Sequence, residues 1–289
     1  MTPWFFKALL ALVLIGLQRF FYKVAAERGC NTALTSLVFM ATVAVVSWSQ
    51  FLCGADRGDP GLSMVLWGLV NGVAFLASAA LTIEALRRIP AVVGYSITRL
   101  STVFATLFSV FFFQDRLWPR QWCGILLAIA VLLLFARRSA AGSPAEEVAG
   151  RYRCGVALAL LAMVAGTVAT VSSKFAALHA DKWGFMAIAY SFSAAAAGLW
   201  RYRQWQNVSS AALKAPVIIG IIMGGLNLIG FYLFLWALET GPLAVIAPLV
   251  GLHFTIAVLL SAVLYRERLD FRGGLGILLA VAAVLLMKA

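Results

Sequence analysis

Ala85-Leu86-Arg87-Arg88-Ile89-Pro90 returns later in the chain as Ala237-Leu238-Glu239-Thr240-Gly241-Pro242. Asp115-Arg116-Leu117 returns as Glu267-Arg268-Leu269, and Gly124-Ile125-Leu126-Leu127-Ala128 as Gly276-Ile277-Leu278-Leu279-Ala280. All three pairs keep one offset, 152 (237 − 85), so 85–134 aligns on 237–286 without a gap. Lys23 and Lys174 match at 151. Apolar segments resemble one another by chance, but shared proline and charged punctuation at a fixed offset marks a duplicated unit.

Outward from these stretches, ten apolar runs read as helices over 4–26, 32–52, 62–86, 91–113, 119–136, 154–178, 183–200, 215–238, 243–264 and 272–288. Each is about the length that crosses a hydrocarbon core, where a helix satisfies its own backbone. The short alternation of a membrane barrel is missing. The longest polar stretch, 137–153, has the Gly, Ser, Pro and Glu content of a linker. It divides the chain into a five-helix unit at 1–136 and a second at 154–289. Because five is odd, the second unit enters the membrane the other way up. The expected fold is an all-α polytopic membrane protein of ten transmembrane helices in two inverted repeats. Inverted repeats place a substrate site at their interface near the midplane.

Composition agrees. The 289 residues are 63% hydrophobic and 12% charged, with mean hydropathy +0.96, which excludes an ordinary soluble domain. A net charge of +12 would suggest nucleic acid in a soluble chain. Here the charge sits between apolar runs, so the expected partners are the lipid bilayer and a small-molecule substrate, with no nucleic acid. Cys30, Cys53, Cys123 and Cys154 lack metal-ligand spacing and read as small apolar fillers. No cofactor is expected, and no nucleotide-binding loop appears.

Two five-helix units, each closing with an Asp/Glu-Arg-Leu turn and a Gly-Ile-Leu-Leu-Ala helix, resemble the EamA-type transporters of the drug/metabolite transporter superfamily. The resemblance covers essentially the whole chain and is most specific at Glu267-Arg268-Leu269. It implies a ten-helix bundle with a central cavity lined by the first, third, fourth, sixth, eighth and ninth helices. It also implies movement of small metabolites, often amino-acid efflux, and in relatives nucleotide sugars or sugar phosphates. Family members often carry a Glu-Pro pair in helices 4 and 9; this chain has Ser101-Thr102 and His253-Phe254 there.

A charge at mid-membrane is expensive, so each one calls for a reason. The embedded cations are Arg19, Lys23, Arg99 and Lys174, while every Asp falls outside the ten runs and Glu84 lies near the end of one. Arg99 sits close to the middle of helix 4, and His253 at the middle of the equivalent helix 9, with Ser101 as its aligned partner. Tyr95 and Thr98 extend the polar face of helix 4. Asn71 in helix 3 and Asn227, Tyr232 and Trp236 in helix 8 are further candidates. Arg19 is deep enough to line a cavity, whereas Lys23 and Lys174 lie near helix ends and read as snorkelling. For Arg99 the alternative is a structural pair with Glu84; for His253, a satisfied core imidazole. Arginines without a central acid favour a carboxylate or phosphate ligand.

The function expected is a secondary transporter, an exporter or exchanger of an anionic or zwitterionic metabolite by alternating access. The alternative is a lipid or lipid-linked sugar translocase on the same fold. An intramembrane transferase fits less well, because two histidines and no embedded Asp leave no catalytic constellation. No enzyme activity is expected. Thirteen basic residues fall on the loop side without termini against six on the other. That bias puts both termini outside the cytoplasm of an inner-membrane protein, whereas family members generally keep both inside. Small-residue spacings such as Gly124-xxx-Ala128 suit internal packing or, alternatively, a homodimer seam.

Overall fold

In lipid an unpaired peptide group has no water to turn to, so each apolar run closes its hydrogen bonds within itself. The computed structural model describes residues 3–54, 61–86, 88–89, 91–115, 117–138, 149–203, 210–265 and 271–288. Among them are α1 (Pro3–Glu27), α2 (Thr32–Cys53), α3 (Leu62–Leu86), α4 (Ala91–Phe112), α5 (Pro119–Arg138) and α6 (Ala149–His179). There follow α7 (Lys182–Arg203), α8 (Ser210–Thr240), α9 (Leu243–Gly251), α10 (His253–Leu264) and α11 (Phe271–Met287). No strand occurs among the described residues. Counting α9 with α10 as one span gives ten crossings.

Local chemistry sets the ends. Gly29 closes α1 with φ +62°, where a side chain would be strained, and Asn31 caps α2 by accepting from the Leu34 amide at 2.9 Å. The helices α6 and α8 begin five residues before the apolar runs do, because a helix continues into the polar interface after hydropathy has fallen. The stretch read as a linker at 137–153 is thus helical at both ends, and residues 139–148 lie outside the described ones. So does the Glu267-Arg268-Leu269 turn.

The ninth apolar run is two segments, not one. Pro248 has no amide hydrogen, so the Ala244 carbonyl loses its partner one turn on. Thr106 on α4 supplies a long hydrogen bond to that carbonyl, 3.5 Å. The helix ends at Gly251, Leu252 takes φ −73°, ψ 0°, and His253 Nδ1–H donates to the Val250 carbonyl at 2.8 Å. A single apolar run with an internal proline carried this break in plain sight.

The halves embrace. α1 packs on α8 as α6 packs on α3, and α2 packs on α8 as α7 packs on α3. The pairs α2–α7 and α5–α11 lie across the pseudo-two-fold axis. Close approach is built from the small residues: Gly68 and Gly72 of α3 meet Ile188 and Ala189 of α7, and Gly220 and Gly224 of α8 meet Val38 and Thr42 of α2. Gly124 of α5 meets Ala283 and Met287 of α11, so this spacing serves packing inside the bundle.

Candidate functional site

The break in the ninth span sits where α1 and α4 converge. A Cβ on Gly16 would meet the Ile256 side chain and the His253 carbonyl, so α1 runs against the first turn of α10 almost backbone to backbone. One turn further along α1 stands Arg19, four residues past the helix midpoint and about 6 Å beyond it at the helical rise. Its guanidinium lies 5.6 Å from the Tyr22 ring centre and within electrostatic reach of both His253 and Tyr190. Arg99 comes from α4, its guanidinium 5.9 Å from the Phe254 ring and within electrostatic reach of His253. Two cations from different helices therefore act electrostatically on one imidazole near the middle of the ninth span. Arg19 is exposed although its chain neighbours Gln18 and Phe20 are buried.

A polar wall adjoins this centre. The Tyr190 hydroxyl of α7 donates to Asn227 Oδ1 of α8, with Tyr22 of α1 beside them. Tyr22 and Tyr190 were not legible as site residues, since a membrane tyrosine on its own reads as packing or interface; only the i,i+3 spacing of Tyr22 from Arg19 pointed to it.

Other candidates go elsewhere. Asn71 is a cross-link: its amide donates to the Ala169 carbonyl at 2.7 Å, to Ser173 at 3.0 Å and to Ser172 at 3.1 Å, tying α3 to α6. Ser101 faces Gly166 of α6 and accepts, through its carbonyl, from Thr167 at 3.3 Å, so it does not join His253. Tyr232 stacks on Trp183 at 4.3 Å near the end of α8. Trp236 is exposed, with the Lys7 ammonium 3.4 Å over its ring, the arrangement of an interfacial anchor. Thr98 is half-buried on α4 beside Arg99, and the side chain of Tyr95 lies outside the described residues. Glu84 pairs with Arg88, 2.7 Å, one turn along α3.

Lys174 does not snorkel. It is 6% exposed, and its ammonium donates to the carbonyls of Leu238 and Gly241, the latter at 2.9 Å, at the C-terminus of α8. A cation there satisfies orphan carbonyls and complements the helix dipole. Asp115 caps the next helix. Its carboxylate accepts from the Ala244 amide of α9 at 3.1 Å and from the Ser109 hydroxyl. Lys23, the counterpart of Lys174, instead pairs with Glu27 at 2.8 Å and is 35% exposed.

A ten-crossing, inverted-repeat bundle with a broken span at its centre defines a membrane carrier. The chain belongs to the EamA-like transporter family, whose pattern matches residues 2–137 and 153–289. Among curated proteins it is similar to the "Probable 4-amino-4-deoxy-L-arabinose-phosphoundecaprenol flippase subunit ArnE" of Erwinia tasmaniensis, 36% identical over 86 residues. That match spans 29% of this chain and 79% of the relative. The protein of the same name from Sodalis glossinidius is 34% identical over 67 residues, 23% of this chain and 57% of the relative. A solved structure titled "Crystal structure of protein" shares the fold at TM-score 0.73, covering 97% of both chains at 19% identity.

Proposed function

We propose that this EamA transporter is a secondary carrier of organic anions or zwitterions, holding a carboxylate or phosphate between Arg19 and Arg99 at the break in the ninth span. The observation that carries the reading is the packing of α1 and α4 on the break, which brings Arg99 to 5.9 Å from the Phe254 ring and both guanidiniums within electrostatic reach of His253. Guanidinium forks bind both anions bidentately, and the low dielectric of the surrounding bundle strengthens the pairing. Tyr22, Tyr190 and Asn227 offer hydrogen bonds to the remaining polar groups, with Thr98 and Tyr95 on the α4 side. The units 1–136 and 154–289, joined by 137–153, rock about this site, and the carrier works as an exporter or exchanger in the inner membrane. Its charge bias places both termini outside; an active C-terminal reporter on the cytoplasmic side would reverse that orientation.

A second reading, translocation of a lipid-linked sugar, is favoured by the two relatives, both named as subunits of a flippase for a phosphate-linked amino sugar. Both readings share the phosphate chemistry of the arginines. Thermal-shift screening of amino acids, organic acids and sugar phosphates on the purified protein, followed by counterflow in proteoliposomes, separates them. A water-soluble substrate should raise Tm and exchange; a fluorescent polyprenyl-phosphate sugar crossing instead selects the lipid reading. Arg19→Ala and Arg99→Ala should each weaken the transported ligand at least tenfold. Unchanged transport in both sinks the arginine site.

A further inference from the structure

We propose that Lys174 and Asp115 form a latch holding shut the mouth on the side of the two termini, and that Lys23 forms its counterpart at the opposite mouth in the other half of the transport cycle. This rests on alternating access but not on which substrate is carried.

The turn between α8 and α9 is gripped from three directions. Lys174, at the end of α6, bonds the last carbonyls of α8. Asp115 takes the Ala244 amide at the start of α9, and Gln114 before it holds φ 54°, a left-handed backbone rare outside glycine and kept only where the surroundings fix it. From α1, Trp4 covers Gly241 so closely that a Cβ there would clash with its ring. Lys174 and Asp115 also attract one another across the turn. Every residue of α9 from Leu243 to Val250 is consequently buried.

By sequence position, the pseudo-two-fold axis carries Lys174, the carbonyls it bonds and the α9 segment to the opposite mouth. Subtracting 151 turns Lys174 into Lys23; subtracting 152 turns Leu238 and Gly241 into Leu86 and Ile89, and the segment Leu243–Gly251 into 91–99 of α4. The contacts do not follow. The end of α6 packs on α8, whereas among the described residues α1 makes no comparable packing on α3. The α9 segment packs on α5, yet α4 has no comparable packing on α11. Lys23 turns to Glu27 and to the Tyr265 ring, 5.7 Å away. Val93, Ile97 and Thr98 of α4 are half-buried where their α9 equivalents, Val245, Leu249 and Val250, are sealed. One mouth is therefore shut and the other open, and Arg19 is exposed on the half of α1 that runs toward the open one. Repeat symmetry supplies the other state: α1 swings onto α3, Lys23 leaves Glu27 for the carbonyls of Leu86 and Ile89, and Lys174 lets go. A lysine suits both positions because its ammonium is hydrated when released and needs only carbonyls when engaged.

The test uses two reporter cysteines in the full chain with Cys30, Cys53, Cys123 and Cys154 replaced by serine. Thr106→Cys is buried behind the shut mouth, 2% exposed, and its counterpart Val258→Cys is half-buried behind the open one. A membrane-impermeant maleimide is applied to oriented vesicles from each side. Without latch substitutions, T106C should resist labelling and V258C should react. Lys174→Gln and Asp115→Asn should each raise T106C labelling from the terminal side about tenfold or more, the loss of charge-assisted bonds expressed as a population shift. They should depress V258C labelling in step. Lys174→Arg should keep T106C protected, and Lys23→Gln should leave T106C protected while slowing exchange. Unchanged T106C protection in both K174Q and D115N overturns the latch, as does a K23Q variant that exposes T106C. If K174Q does not fold, D115N decides alone. Labelling needs no substrate, so a failed substrate screen alongside shifted labelling would remove the anion reading and leave the latch standing.

Discussion

The two mouths of this carrier are built from one sequence pattern and are arranged differently. At the terminal side, Lys174 is buried on the carbonyls of α8 and α9 is sealed; at the other, Lys23 leans on Glu27 and α4 is half-open. Some parts make matching contacts in the two halves, and others, on the latch proposal, engage at one mouth at a time. Packing glycines belong to the first kind and the lysines to the second.

That division can be broken by substituting equivalent residues in pairs. The largest effect belongs to the shared scaffold. Gly68→Leu and Gly220→Leu force side chains into Ile188 and Val38, and each should cost about 3 kcal/mol, measured as a matching fall in Tm in detergent. Unequal losses would mean that the α3–α7 and α8–α2 contacts are not equivalent. Next come the lysines. Lys174→Met leaves buried carbonyls unpaired and should cost about 2 kcal/mol, whereas Lys23→Met, which loses a half-exposed pair, should cost less than about 0.5 kcal/mol in the same melt. Equal shifts would erase the difference between the mouths. A third, more modest effect sharpens the picture at a site without symmetry. Asn71→Leu should cost about 1 kcal/mol through its lost bonds to α6 and leave ligand-induced stabilisation intact. A lost ligand response would return Asn71 to the binding site.

The sequence made the scaffold legible because membrane helices announce themselves by length and the duplicated turns by their offset. It also brought Arg19, Arg99 and His253 forward, since charge in lipid needs a reason. Lys174 was misread because position near a helix end suggests snorkelling, and only the neighbouring C-terminus of α8 shows what the ammonium bonds. Trp236 and Ser101 were misplaced for a related reason: polarity locates depth in the membrane but not the direction a helix face points. Tyr190 stayed silent because its neighbours come from α1 and α8, distant in sequence, and Tyr22 had only its spacing from Arg19 to mark it.

Pro248 has Ser96 as its counterpart, so the proline hinge exists in only one repeat, and α4 runs unbroken from Ala91 to Phe112. A hinge in one repeat removes the symmetry that would make the two end states of an alternating cycle equal in energy. An uncoupled carrier of this kind would show different maximal velocities and different half-saturation concentrations from its two faces. Their ratio would nonetheless be the same from either side, because an asymmetric hinge alters speed and occupancy and cannot by itself drive accumulation.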